Sequence, residues 1–165
     1  FVEALEEFHR DERLKKDFKL VEGEGLYVLN NMVLEKLEEQ KKNSLEGKEG
    51  VKQELEFLLQ YSMEKSDKYP EDLRFALVTA KIANGLYGIS KIKEPAMLDL
   101  AKKYGIRSIN NSPGGELGYK VMIETYLSEG KFDIALKFAG MLVGLNPRVP
   151  EFRNLVTSIE KIKHD

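Results

Sequence analysis

The residue types that most often carry chemistry are sparse and scattered in this chain of 165 residues. Its two histidines, His9 and His164, lie near opposite ends, and neither has a second histidine at the spacing of a helical metal site. The chain contains no cysteine, so it offers no thiolate ligand and no disulfide, and both reducing and oxidising compartments stay open. We therefore predict no metal ion and no cofactor.

Carboxylates and hydroxyls also lack the patterns of a catalytic site. Acidic residues such as Glu35, Glu38 and Glu39 recur at the spacing of a solvated helix face. No paired Glu-x-x-His motif of a di-metal bundle occurs, and neither EGEG nor SPGG continues as a phosphate-binding loop. The sequence shows no activated-nucleophile motif around its serines, which include Ser44, Ser90, Ser112 and Ser128. We predict that the chain is not an enzyme; a helical-bundle enzyme with dispersed carboxylates is the less favoured alternative.

Composition limits the classes of partner. The chain is 42% hydrophobic and 33% charged, so it has enough apolar residues to bury a core. Its formal net charge is -2, with basic and acidic residues interleaved, which argues against a nucleic-acid partner. The longest apolar runs fall far short of the roughly 20 residues that cross a bilayer, so we expect a soluble chain with no membrane span.

Helical periodicity runs through the sequence, and no alternating pattern long enough for a strand occurs. One apolar stripe recurs at helical spacing between positions 51 and 63, and it consists of Val51, Leu55, Leu58, Leu59 and Met63. A helix is predicted over 71–88, and another from Pro95 to a C-terminal cap at Gly105. Two further helices are predicted upstream, with Phe1, Leu5, Phe8, Phe18, Leu26, Leu29, Val33 and Leu37 facing inward and a break at Gly23 and Gly25. The predicted fold class is all-α.

One pair of predicted helices has the length of a repeat unit. Pro113 and Pro147 are 34 residues apart, and two helix-length segments lie between them, joined by a turn at SEGKF. Small residues on the second segment, Ala135 and Ala139, would let aromatic side chains of the first approach closely. Gly130 would release the backbone for the turn.

This unit resembles the tetratricopeptide repeat. The positions that match the consensus are Tyr126, Gly130, Phe132, Ala135 and Pro147. The chain departs from it where Ile123 replaces Gly or Ala, and where Ala139 and Leu142 reverse the usual order of large and small. The resemblance implies antiparallel helix hairpins stacked as a short superhelix, preceded by an N-terminal helical lead-in.

A weaker second copy lies between Pro70 and Pro113. Ala80 and Ala83 occupy small-residue positions of its first helix, and Ala96 takes the part of Ala135 in its second. After Pro147 a last amphipathic helix has the polar outer face of a capping element. We divide the chain into N-terminal helices over 1–67, which pack on or precede the array, and tetratricopeptide-like repeats with a capping helix over 68–165.

In tetratricopeptide proteins the first helices of successive units form a concave groove, so the resemblance implies a protein-protein or peptide-binding module. Carried over by position, the groove residues are Arg74, Leu77, Lys81, Asn84, Leu117, Lys120, Glu124, Leu127 and Ser128. The set lacks the full Lys and Asn clamp that holds a C-terminal carboxylate in some members. The alternative is a self-associating structural protein in which the stripes of the first helices form a homo-oligomer seam.

The order of a helical lead-in, YPEDLRF and SEGKFDIALKFAGMLVGLNP also resembles the soluble tail of bacterial O-antigen ligase-like membrane proteins. The resemblance implies an extracytoplasmic accessory domain of a cell-surface glycan ligase or polymerase, tethered to a membrane upstream. The sequence begins at Phe1 without an initiator Met, and we expect a processed product or an excised part of a longer protein. A cytoplasmic location is the alternative.

Overall fold

The computed structural model describes residue 35 and residues 48–165. Residues 48–165 form helices joined by short connections and contain no strand, so the all-α prediction is confirmed for this part of the chain. The helices are α1 (Lys48–Lys68), α2 (Leu73–Ile89), α3 (Pro95–Asn111), α4 (Leu117–Ser128), α5 (Phe132–Leu145) and α6 (Pro150–His164). None of these helices is long and apolar enough to cross a membrane.

Several predictions fall outside the described residues. They are the two upstream helices, the break at Gly23 and Gly25, and the predictions made for His9, Glu38, Glu39 and Ser44. Glu35, which is described, is helical and exposed.

Local sequence signals account for where several helices begin and end. Asp72 caps α2, because its Oδ1 accepts a hydrogen bond from the Arg74 backbone N–H at 3.0 Å. Prolines occupy the first positions of α3 and α6, where a missing N–H costs nothing. At the end of α4, Gly130 has a φ of 77°. The N–H groups of Gly130 and Lys131 donate to the carbonyls of Leu127 and Tyr126, which closes the helix with a Schellman motif.

Short connections make neighbouring helices antiparallel, and each helix packs on the next one along the chain. In addition α2 contacts α4, so the hairpins stack. One end of the core joins α1, α2 and α3 through side chains that include Leu55, Leu58, Phe75, Val78, Ile82 and Ala101. The other end joins α4, α5 and α6 through Ile123, Ala135, Ala139, Leu142, Phe152 and Ile159. Between them Ala76, Leu77, Ala80, Tyr104 and Val121 connect the two halves.

Two glycines, one on each helix, lie in the contact between α3 and α4. A Cβ on Gly105 would lie 2.5 Å from Met122 Sδ, and a Cβ on Gly118 would lie 2.9 Å from Ile109 Cγ1. Gly105 therefore does not cap a helix, and that prediction is wrong. The helix continues to Asn111, and Gly105 lies inside it with the Met122 side chain of α4 packed against it.

The weaker repeat also differs from its predicted register. Ala80 and Ala83 on α2 are buried, as predicted. Ala96 is exposed in the first turn of α3, and the buried alanine of that helix is Ala101. The helix extends beyond its predicted C-terminal end. Its buried residues run from Leu98 to Ser108, later in the sequence than the predicted contact at Ala96. Helix α1, placed with the N-terminal part of the chain, shares one core with α2 and α3.

Candidate functional site

A cleft of about 640 Å3 lies between α4 and α6. These helices are not consecutive, because α5 runs between them along the chain and packs against both. The described residues that line the cleft belong to α4 and α6, and they are Lys120, Ile123, Glu124, Leu127, Ser128, Glu151, Phe152 and Leu155. The cleft is therefore a groove between two helices that are separated along the chain by α5.

The floor of the cleft is apolar. Ile123 and Phe152 are buried and belong to the core that joins α4, α5 and α6. Leu127 and Leu155 are half-buried and pack against the same core. Because the two leucines keep part of their surface in water, a partner that covers them would gain hydrophobic free energy.

Lys120 crosses the cleft at one end. Its Nζ forms a salt bridge at 3.0 Å with Oε1 of Glu116, the N-cap residue of α4. The same Nζ lies 5.6 Å from the centroid of the Phe152 ring on α6, within the range of a cation–π contact. The side chain thus links the two walls, and the floor of the cleft already holds one cation against an aromatic ring.

Glu124 and Ser128 also border the cleft from α4, and a second cation, Lys81 on α2, lies near Glu124 and Lys120. The Ser128 hydroxyl donates a hydrogen bond to the Glu124 backbone carbonyl at 3.0 Å, so it is tied to its own helix. Burial lowers the pKa of Lys81 on α2, and the nearby Glu124 carboxylate opposes that shift. In the described ranges, no group of three or more His, Asp or Glu side chains is arranged to hold a metal ion.

The structure brings together four of the predicted groove residues. Lys120, Glu124, Leu127 and Ser128 all line the cleft from α4. Leu117, at the start of α4, does not line it, although its side chain is 44% exposed.

The four residues predicted on α2 lie elsewhere. Arg74 forms a salt bridge with Asp72 at 3.0 Å beside the start of the helix. Leu77 and Asn84 are 2% and 7% exposed, in the contact between α2 and α4. Lys81 is half-buried near Lys120 and Glu124. The groove between α2 and α4 is therefore filled by the protein's own side chains, whereas the described residues leave a cleft between α4 and α6.

Sequence reasoning missed the α6 wall of the cleft. Glu151, Phe152 and Leu155 were placed on a capping helix, because that helix has a polar outer face. The signal that could have found them is the i, i+3 spacing of Phe152 and Leu155, which places both on one face of α6, as the i, i+4 spacing of Ile123 and Leu127 does on α4.

A second depression, of about 950 Å3, lies between α1 and the connection from α2 to α3. Ile92 in that connection is 78% exposed. Much of the border is charged or amide-bearing, and these residues are Lys52, Glu56, Gln60, Lys91, Lys93 and Glu94. The cleft between α4 and α6 has the more apolar floor and is the stronger candidate for binding.

No protein-family model matches the chain, and no curated protein sequence matches it.

Proposed function

We propose that the chain is a non-catalytic binding module that holds a peptide segment or a helix of a protein partner in the cleft between α4 and α6. The observation that carries this proposal is the apolar floor between two helix walls, with Leu127 and Leu155 only half-buried. Charged side chains border that floor, which is the usual arrangement of an apolar recognition site with a polar rim.

The dimensions suit a short stretch of polypeptide. The lining residues run from Lys120 to Ser128 on α4, a length of about 12 Å at 1.5 Å per residue. An extended segment of about four residues, or about two turns of a helix, covers that length. The volume of about 640 Å3 accommodates large apolar side chains from such a segment.

The stacking of hairpins supports the same proposal. The chain has a 34-residue spacing between Pro113 and Pro147, two short helices between them, and a contact between α2 and α4. These features agree with a tetratricopeptide-like array, in which such grooves bind partners. The assignment to that family stays a prediction, as do the accessory role in a cell-surface glycan ligase or polymerase and the extracytoplasmic location.

The proposal is tested by selecting binders from a random-peptide library displayed on phage, with the purified 165-residue chain as the target. Selected peptides are then measured against two variants that each lose one partly exposed apolar side chain. Leu155→Gln changes the cleft, whereas Met141→Gln changes α5, where Met141 is 53% exposed and outside the cleft. Circular dichroism confirms that both variants are folded.

We expect Leu155→Gln to weaken binding by about 3- to 10-fold, because full burial of a leucine contributes about 1.5–3 kcal/mol and a partner covers only the half of Leu155 that is still exposed. Met141→Gln should leave the affinity within about 2-fold of the unchanged protein. Peptides that bind Leu155→Gln as tightly as the unchanged chain, or a selection that yields no binder, would contradict the proposal.

A further inference from the structure

Two carboxylates border the cleft, one from each wall. Glu124 borders it from α4 and Glu151 from the first turn of α6, and both side chains are exposed. In the portion of the chain that the structure describes, neither forms a salt bridge. Both stay available to a cation brought by a partner.

The cations near the cleft do not neutralise these carboxylates by direct contact. Lys120 is the one basic residue among the described lining residues, and its Nζ is held by Glu116. Lys81 is half-buried on α2, and its interaction with Glu124 is a Coulombic attraction without a salt bridge among the described contacts. The two carboxylates on the rim of the cleft, Glu124 and Glu151, are therefore not paired with a neighbouring cation in the described part of the chain.

The chain already places one cation of its own at the cleft. Lys120 Nζ lies 5.6 Å from the Phe152 ring centroid and is held by Glu116, so the site beside that ring is taken and the apolar surface left to a partner is that of Leu127 and Leu155. The aliphatic stem of a Lys or Arg from a partner could cover Leu127 or Leu155 while its charged end reaches Glu124 or Glu151.

We propose that the partner segment is basic and amphipathic, with large apolar side chains that cover the floor and Lys or Arg residues that pair with Glu124 and Glu151. This inference rests on the proposed binding function and goes beyond it by stating the charge of the partner. Electrostatic complementarity of this kind selects among partners and speeds their association.

The test uses two fluorescein-labelled synthetic peptides of 16 residues, both designed as amphipathic helices with leucines on one face. One peptide has lysines on the polar face, and the other has glutamates at the same positions. Affinity is measured by fluorescence anisotropy at low salt, and the binding site is mapped by the amide signals of the 15N-labelled protein. The test variant carries Glu124→Gln and Glu151→Gln. The control carries Glu64→Gln and Glu160→Gln, which change the net charge equally at two exposed positions outside the cleft.

We expect the lysine peptide to bind about 10-fold more tightly than the glutamate peptide, because each exposed charge pair changes affinity by a factor of a few. Glu124→Gln with Glu151→Gln should reduce this ratio to about 2-fold, the control pair should preserve most of it, and added salt should lower it.

The two proposals fail in different ways. If both peptides perturb the amides of residues 120–128 with equal affinity, the cleft binds peptides but the inference about charge is overturned. The same conclusion follows if the control pair removes the preference as fully as the cleft pair. If neither peptide perturbs these amides, both the inference and the proposed function are contradicted.

Discussion

Thr125 on α4 shares its hydroxyl proton between Asn84 Oδ1 on α2 at 3.0 Å and the Val121 carbonyl of its own helix at 2.8 Å, although Thr125 and Asn84 are 41 positions apart. Both side chains are buried. Their bond fixes α4 against the preceding hairpin on one side, and the opposite side of α4 is left to form the wall of the cleft. A polar pair inside the stack thus holds the helix that the proposed binding site uses.

Thr125→Val should lower the free energy of unfolding by about 1–3 kcal/mol, because the buried Asn84 oxygen loses its donor. Thr157→Val is the matched control: its hydroxyl donates to the Arg153 carbonyl at 3.2 Å on an exposed face of α6, and the change should stay within about 0.5 kcal/mol. The measurement is urea unfolding followed by circular dichroism. Equal losses for the two variants would show that the bond between α2 and α4 has no special weight.

Gly118→Ala should destabilise the protein by about 1–3 kcal/mol, because the added Cβ would meet Ile109 Cγ1 at 2.9 Å and the Ile109 backbone nitrogen at 3.1 Å. Backbone cannot move aside as a flexible side chain can. Gly140→Ala on α5 is the control, since nothing lies within 4 Å of the added Cβ, and it should stabilise the helix by about 0.5–1 kcal/mol. Calorimetric melting of both variants gives the comparison. A stabilised Gly118→Ala would disprove the tight contact between α3 and α4.

Stability should fall in alkali through Tyr104. Burial raises the pKa of Tyr104 to about 12, and the hydrogen bond from its hydroxyl to Asp67 Oδ1 at 3.0 Å adds to the shift. The folded protein then binds the phenolic proton more tightly than the unfolded chain, so stability is lost as the pH rises above the ordinary value of 10. Melting temperatures between pH 8 and 11 should decline less steeply for Tyr104→Phe. An identical slope in both proteins would remove Tyr104 as the cause.

Stability should also fall in acid through Glu129, which follows α4. The hydrogen bond from Lys102 lowers the pKa of Glu129, and Lys131 Nζ at 2.7 Å contributes in the same direction. The folded state therefore binds the Glu129 proton less tightly than the unfolded chain. The ionised carboxylate stabilises the fold above the ordinary pKa of 4.5, and this stabilisation is lost as the pH falls below that value. Glu129→Gln should lower the melting temperature at pH 7 and shrink the decline between pH 5 and 3. If the melting temperature of Glu129→Gln falls as steeply between pH 5 and 3 as that of the unchanged protein, other carboxylates cause the acid sensitivity.

Much of the fold follows from periodicity and small residues. The stripe from Val51 to Leu59 is buried, and Ala135 and Ala139 are buried on the second helix of the strong unit. Gly130 has the positive φ that the turn required. These features are local, because a helix stripe, a turn glycine and a short connection determine where two neighbouring helices meet.

The prediction failed where one residue type serves two purposes. A glycine after an apolar helical run usually indicates a helix C-terminus, but Gly105 lies inside α3, where Met122 of α4 packs against it. Leu77 and Asn84 have the spacing of groove residues, but whether a groove is open depends on how closely two helices approach. That distance is set by side chains that are far apart in the sequence, such as Tyr104 and Val121, and only the assembled structure shows it.

The central claim is that the cleft between α4 and α6 binds a partner segment. The most direct measurement is amide chemical-shift mapping of the 15N-labelled chain with the tightest peptide from the library selection. We expect the largest changes at residues 120–128 and 151–155, on both walls of the cleft. Largest changes at α1 or at the connection between α2 and α3, or no changes at saturating peptide, would contradict the claim.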